Sequence, residues 1–218
     1  MRHFLPTFLI IVLVLAIYPF VGMDKTGSPE LTGLPWQIEI LPDGHSRVFG
    51  LVPGVSTLQE AATVLGNDYE LAVVENETSV GLEMYFSDYR AGLMTAKLVL
   101  AARTDAADLQ QWQQRAAKVD YMASGKAKKY LLAAADRDAA LQAVLRAIAF
   151  VPAVNLDDDI LRKRFGEPAE QVAAEPGVSY YLYPEVGLAI TLSADSKEVL
   201  QYVAPTDFSS LRAPLHSN

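Results

Sequence analysis

Val52-Pro53-Gly54-Val55-Ser56 returns in the second half of the chain as Val151-Pro152-Ala153-Val154-Asn155. Each copy leads into a capped helix that stops at a glycine. In the first, Ser56 with Gln59, or Thr57 with Glu60, supplies a capping box. Leu58, Ala61, Ala62 and Leu65 then form an apolar stripe, and Gly66 stops the helix. In the second, Asn155 or Asp157 caps a helix carrying Ile160, Leu161 and Phe165, which stops at Gly166. Strands follow both. Val80, Leu82, Met84 and Phe86 alternate with Gly81, Glu83 and Tyr85, and Met94, Ala96, Leu98 and Leu100 form the partner after a turn at 87–92. After the second helix, strands span 179–183, 188–192 and 198–203, with turns at 184–187 and 194–197. The succession of elements repeats with the motif, which predicts a helix-and-meander unit used twice.

Ahead of the first copy, Trp36, Ile38 and Ile40 alternate with Gln37 and Glu39. Pro42-Asp43-Gly44 turns the chain, and 47–52 returns as the second arm of a hairpin. Between the copies, Thr104 or Asp105 caps a helix with Leu109, Trp112, Ala116 and Val119 on one side, ending at Ser124-Gly125. Residues 128–133 fit a strand or a helix. Asp136 opens another helix with Leu141, Val144, Leu145 and Ile148 on one face.

The N-terminus carries twenty uncharged residues from Phe4 to Met23, enough for one bilayer crossing as a helix. A cleaved signal peptide is the alternative, but Tyr18-Pro19-Phe20-Val21-Gly22-Met23 lacks an A-x-A-like pair. Arg2 before the run favours a cytoplasmic N-terminus and export of the rest. The segment 24–35, rich in Gly, Pro and Thr, reads as a tether. The expected fold class is thus α+β: a transmembrane helix or signal anchor at 1–23, the tether, a first α/β unit at 36–103, a helical connector at 104–149, a second α/β unit at 150–205 and a tail at 206–218.

Composition narrows the function. The 218 residues are 51% hydrophobic and 20% charged, which excludes a disordered or polytopic membrane chain. Cysteine is absent, so disulfides, thiol catalysis and Cys-ligated zinc are excluded. A net charge of −8 matches nucleic acid poorly, and none is expected as a partner. The charge is unevenly spread: residues 30–90 hold ten acids and two bases, 91–150 hold nine bases and five acids, and 151–218 hold ten acids and five bases.

The second copy, with Asn155, Phe165-Gly166-Glu167-Pro168, Tyr180-Tyr181-Leu182-Tyr183 and 188–192 in succession, resembles the SmpA/OmlA family, the BamE-like small outer-membrane assembly proteins. The first copy matches at Gly54, Ser56, Glu60 and Leu65-Gly66. Ala153 stands where a Gly is usual, Asn67-Asp68 follow Gly66 without the usual Pro, and there is no lipobox Cys. The resemblance implies a tandem pair of two-layer α/β units, as in the β-lactamase-inhibitor-like fold. It does not carry the family's barrel-assembly role.

Residue chemistry offers little to catalysis. His3 and His216 are terminal, and His45 lies beside a hairpin turn, where adjacency to Asp43 and Ser46 does not build a triad. Asp157-Asp158-Asp159 lacks the spacing of a cation loop and suits the first turn of a helix. No phosphate-binding, dinucleotide, nucleophile-elbow or H-E-x-x-H motif occurs. No catalytic residue, metal or cofactor is expected. The candidate contact residues are Tyr180, Tyr181 and Tyr183 on one strand, and Lys126, Lys128 and Lys129 in the basic middle, where Arg115 and Lys118 also lie. The function expected is a membrane-anchored periplasmic protein-binding or envelope-assembly module without catalytic activity. Its partner would be another envelope protein, with the membrane contacted through residues 4–23. A cell-wall hydrolase, or an inhibitor of a periplasmic hydrolase, is the alternative. The expected location is the inner membrane, single-pass, with the C-terminal part periplasmic, or the periplasm itself after cleavage.

Overall fold

The computed structural model describes residues 33–121 and 127–216. In chain order the elements are β1 (Glu39–Ile40), β2 (Ser46–Arg47), α1 (Leu58–Leu65), β3 (Glu70–Asn76), β4 (Val80–Ala91), β5 (Met94–Ala102), α2 (Ala106–Gln114), β6 (Lys118–Tyr121), β7 (Ala127–Leu131), α3 (Ala134–Leu141), β8 (Leu145–Pro152), α4 (Asp158–Phe165), β9 (Glu170–Glu175), β10 (Val178–Tyr183), β11 (Leu188–Ser193), β12 (Val199–Val203) and α5 (Ser209–Arg212). Ten strands make one antiparallel sheet in the order β6-β7-β3-β4-β5-β8-β12-β11-β10-β9, and β1 and β2 form a separate small hairpin.

This corrects the expectation of two α/β units behind a transmembrane helix. The meanders β3-β4-β5 and β9-β10-β11 both exist, each after an eight-residue helix, but β8 pairs with β5 on one side and β12 on the other, fusing them into one sheet. The described residues fall in a single compact unit. Among the described residues no helix is long and apolar enough to cross a membrane. The segment read as the anchor lies outside the described residues. The stretch read as a helical connector holds two short helices and three strands. Leu145, Ile148 and Phe150 are buried on β8, not on a helix, because β-branched and aromatic residues flank Ala147 and Ala149 in a period of two beyond Leu145. The first strand of each meander, β3 and β9, carries no clean alternation and was not expected.

Local chemistry explains the elements. Thr57 completes the capping box with Glu60, its hydroxyl accepting from Glu60 N at 3.2 Å while Glu60 Oε2 accepts from Thr57 N at 3.0 Å. Asp157 caps α4, accepting from Ile160 N at 2.8 Å. Both helices stop at a glycine with positive φ, Gly66 and Gly166. The two Val-Pro motifs sit differently, however. The first is a loop whose Gly54 N–H donates to Leu145 O at 2.7 Å, beside the start of β8, whereas Val151-Pro152 ends β8 itself.

Strand alternation sends Leu71, Val73, Leu82, Met84, Leu98, Leu100, Ile148, Phe150, Leu200, Tyr202, Leu188, Ile190, Tyr181 and Tyr183 to one face. They pack there with Leu58 and Ala61 of α1, Trp112 of α2, Leu141 of α3 and Leu161 of α4. The end of the expected tether is part of this core: Tyr202 donates its hydroxyl to Pro35 O at 2.8 Å, and Arg164 lies 4.5 Å over the Trp36 ring. Phe49 has φ 54, an unusual conformation for an aromatic residue, in the tight turn bridged by Val48 and Leu51. Its ring is 5.4 Å from Phe150, 5.6 Å from Tyr202 and 5.7 Å from Tyr89, contacts that hold the turn against its backbone cost.

A candidate binding face on the open half of the sheet

The opposite face of the sheet is treated differently in its two halves. In the second half, Leu182, Ala189 and Val203 lie under Phe208, with Tyr180, Val172, Leu211 and Leu215 packed around them. The cover is the chain's own C-terminal segment, running from Pro205 through α5 to a last helical turn at Ala213–His216. Arg212 pins it to β9 through Glu170 at 2.7 Å, and Arg103 at the end of β5 holds Asp207 at 2.5 Å.

In the first half the same face is a hollow of about 550 Å³ floored by Ala72, Val74, Glu83, Tyr85 and Val99. Strand register makes the halves comparable residue by residue. Glu70 and Glu170 open β3 and β9 at the same distance after Gly66 and Gly166, and lie opposite Tyr85 and Leu182. Ala72 opposes Glu83 as Val172 opposes Tyr180. Tyr85 opposes Val99 as Leu182 opposes Ala189. The floor Val172-Tyr180-Leu182-Ala189 is therefore covered by the C-terminal segment, whereas in its counterpart Ala72 is buried and Glu83, Tyr85 and Val99 stay partly exposed to the hollow.

Charge on the open floor is arranged by neighbours. Lys129 of β7 pairs with Glu70, and Lys118 pairs with Asp120 at 2.8 Å. Glu83 has no hydrogen-bond or ion-pair partner among the described residues, and burial raises its carboxyl above the ordinary value. A second hollow of about 410 Å³ adjoins it beyond Gly81, where Arg103 and Arg146 share the lining with Glu83.

The expected contact residues fall elsewhere. Tyr181 and Tyr183 are 3% and 7% exposed and belong to the main core, which corrects their reading as surface anchors. Burial, with Asp158 beside it, pushes the Tyr181 hydroxyl up to about 12. Tyr183 donates to Gly166 O at 3.0 Å, tying β10 to the end of α4. Tyr180 is half-buried against the C-terminal segment. The faces of β10 were thus separated correctly by alternation, but neither is free. Lys128 is exposed and sits 5.8 Å over the Tyr121 ring. Lys129 is at the rim of the open floor, bound to Glu70, and Lys126 lies outside the described residues. Arg115 is likewise engaged, at 2.6 Å from the buried Asp136.

His45 stands beside its own turn, Nδ1 3.2 Å from Asp43 Oδ1, and the His45 backbone N–H helps hold Asp43 below its ordinary value. Asp158 is held low by the Tyr181 hydroxyl and by Arg162, whose Nε is 2.9 Å away. Asp157 caps α4 and Asp158 braces it through Arg162. Among the described residues no group of three His, Asp or Glu side chains is placed to hold a metal ion. Glu83, Tyr85 and Val99 were not singled out from the sequence. The alternation placed Glu83 and Tyr85 opposite Leu82, Met84 and Phe86, but no local pattern says which half of a sheet face lacks a cover.

No family model, curated protein or solved structure matches the chain. The likeness to BamE-like proteins rests on the motif residues quoted above.

Proposed function

We propose that this protein is a binding module that receives another protein on the open half of its sheet. One observation carries the reading: Glu83, Tyr85 and Val99 remain partly exposed in a hollow while their counterparts in the same sheet are covered by the chain's C-terminal segment. An apolar floor with an unpaired carboxylate is costly to leave in water-poor surroundings and becomes favourable when a partner supplies the missing groups. The uncharged N-terminal run supports a place in the cell envelope, so the partner is another envelope protein.

The test is site-specific photocrosslinking in intact cells from a phenylalanine-type crosslinker at Val99. The same probe at Val64, an exposed position of α1 on the opposite side of the sheet, is the control. A discrete adduct from position 99 and not from 64 is expected. Equal labelling, or none at 99, overturns the reading. Loss of cellular function on His45→Ala, with Val99→Lys silent, would favour the hydrolase alternative instead.

A further inference from the structure

We infer that the element received on this face is a short amphipathic helix that sets a Lys or Arg over Glu83, seated as the chain's own C-terminal segment is seated on the second half. The inference rests on the binding reading above and adds the occupant's form and charge.

The form follows from the ladder. β3 is paired to β7 and β4, β4 to β3 and β5, and β5 to β4 and β8. Every strand beneath the floor is paired on both sides, so an incoming strand has no edge to join. The occupant must contact side chains alone, which is how a helix layer lies on a sheet. The molecule shows such an element on the equivalent strands: Phe208, Leu211 and Leu215, at helical spacing, face the apolar floor, and Arg212 reaches Glu170 at 2.7 Å.

The charge follows from what is already paired. Glu70 is the counterpart of Glu170, but Lys129 of β7 occupies it. The carboxylate left over is Glu83, one strand further in, where the second half has Tyr180. Lys97 does not satisfy it: Glu83 lies opposite Ala101, and Lys97 is four residues along β5 from there, roughly 13 Å at strand rise. A guanidinium or ammonium entering over Tyr85 and Val99 gains a charge-assisted hydrogen bond in a site screened from water by its own apolar flanks. Among the charged residues lining the hollow, Glu70, Glu83 and Asp120 outnumber Lys97 and Lys129, which favours the same sign.

The probe is a pair of stapled helical peptides repeating the Phe-x-x-Leu-Arg-x-x-Leu spacing of residues 208–215, one with Arg and one with Glu at the charged position. They are titrated by fluorescence anisotropy against the full chain. The Arg peptide is expected to bind, weakened at least about fivefold by Glu83→Gln and abolished by Val99→Lys. Glu83→Lys is expected to reverse the preference between the two peptides. Thermal melts of each variant confirm folding. Binding that ignores both Glu83 variants overturns the charge assignment. Failure of both peptides while position 99 still crosslinks a partner in cells overturns the helix and leaves the binding reading standing. Absence of that crosslink sinks both. Dimerisation of the full chain that Val99→Lys abolishes would assign the face to a second copy and also overturn the inference.

Discussion

The covered and the open halves of the sheet use the same strands to different ends. Around Leu182 and Ala189 the chain buries both faces, and that half carries three buried tyrosines, Tyr181, Tyr183 and Tyr202. Around Tyr85 and Val99 it buries one face and leaves the other a half-exposed hollow. The difference teaches that a sheet of this width is stabilised amply from its helix side. Cover on the second side is a local choice, made by a dozen C-terminal residues, and leaving it off creates a surface with room for a partner.

Stability measurements break or sharpen that contrast. Replacing Phe208, Leu211 and Leu215 together by Ala strips the cover, and the loss expected is at least about 5 kcal/mol, read as the shift in urea midpoint. The matched pair Tyr85→Ala and Val99→Ala on the open half should cost under about 1 kcal/mol each. Equal losses in the two halves would erase the distinction. Leu161→Ala comes next. Leu161 is 0% exposed on α4, and α1 already has Ala61 at the corresponding place, so the substitution makes the two helices alike. It should cost about 3 kcal/mol, or roughly 6–12 °C in Tm for a chain of this size.

The buried tyrosines supply a pH signature that is largest in the covered half, although burial also raises Tyr89 and the hydrogen bond to Glu75 raises Tyr130 in the first half. Burial raises Tyr183, places Tyr202 well above 10 and takes Tyr181 to about 12. The unfolded phenol ionises first, so the stability from Tyr181 is complete below pH 10 and is lost as pH rises towards 12, an effect of about 2 kcal/mol. In a titration followed at 295 nm and by circular dichroism, the last phenolates should appear together with loss of structure. Their appearance with structure intact would show that the covered half admits water. The smallest effect belongs to Glu83. Its raised carboxyl makes the ionised form unfavourable in the folded state, so Glu83→Gln should stabilise the fold slightly at pH 7. The gain should vanish below the ordinary carboxyl value of 4.5, where both side chains are neutral. A loss at pH 7 would mean that Glu83 has found a partner.

Much of this was readable in residue order. The caps Thr57 and Asp157, the stops Gly66 and Gly166, and the alternation through Leu82, Met84 and Phe86 are short-range signals, and the structure bears them out. β3 and β9 escaped because Leu71-Ala72-Val73 and Gln171-Val172-Ala173 show no period of two at their length. The start of β8 reads as a helix because Leu141, Val144, Leu145 and Ile148 also satisfy a helical stripe, and only pairing with β5 and β12 decides the matter. Alternation alone separates Tyr180 from Tyr181 and Tyr183 on β10. Their burial depends on α4 and on the C-terminal segment, whose docking is non-local. The open floor was invisible for the same reason, since openness is a property of what fails to arrive.

The central position of β8 has a consequence for synthesis. Once residue 102 has been made, the first meander has all its strands, yet the free edge of β5 stays bare until residue 152 follows. The far edge of β8 then waits for residue 203. Two apolar ladder edges are thus displayed in turn to whatever surrounds the growing chain, the situation in which edge-to-edge association competes with folding. A chain held extended until its last strand is available would escape that hazard. Refolding from denaturant, which releases all the strands at once, should be less prone to aggregation than release of fragments ending between residues 102 and 152.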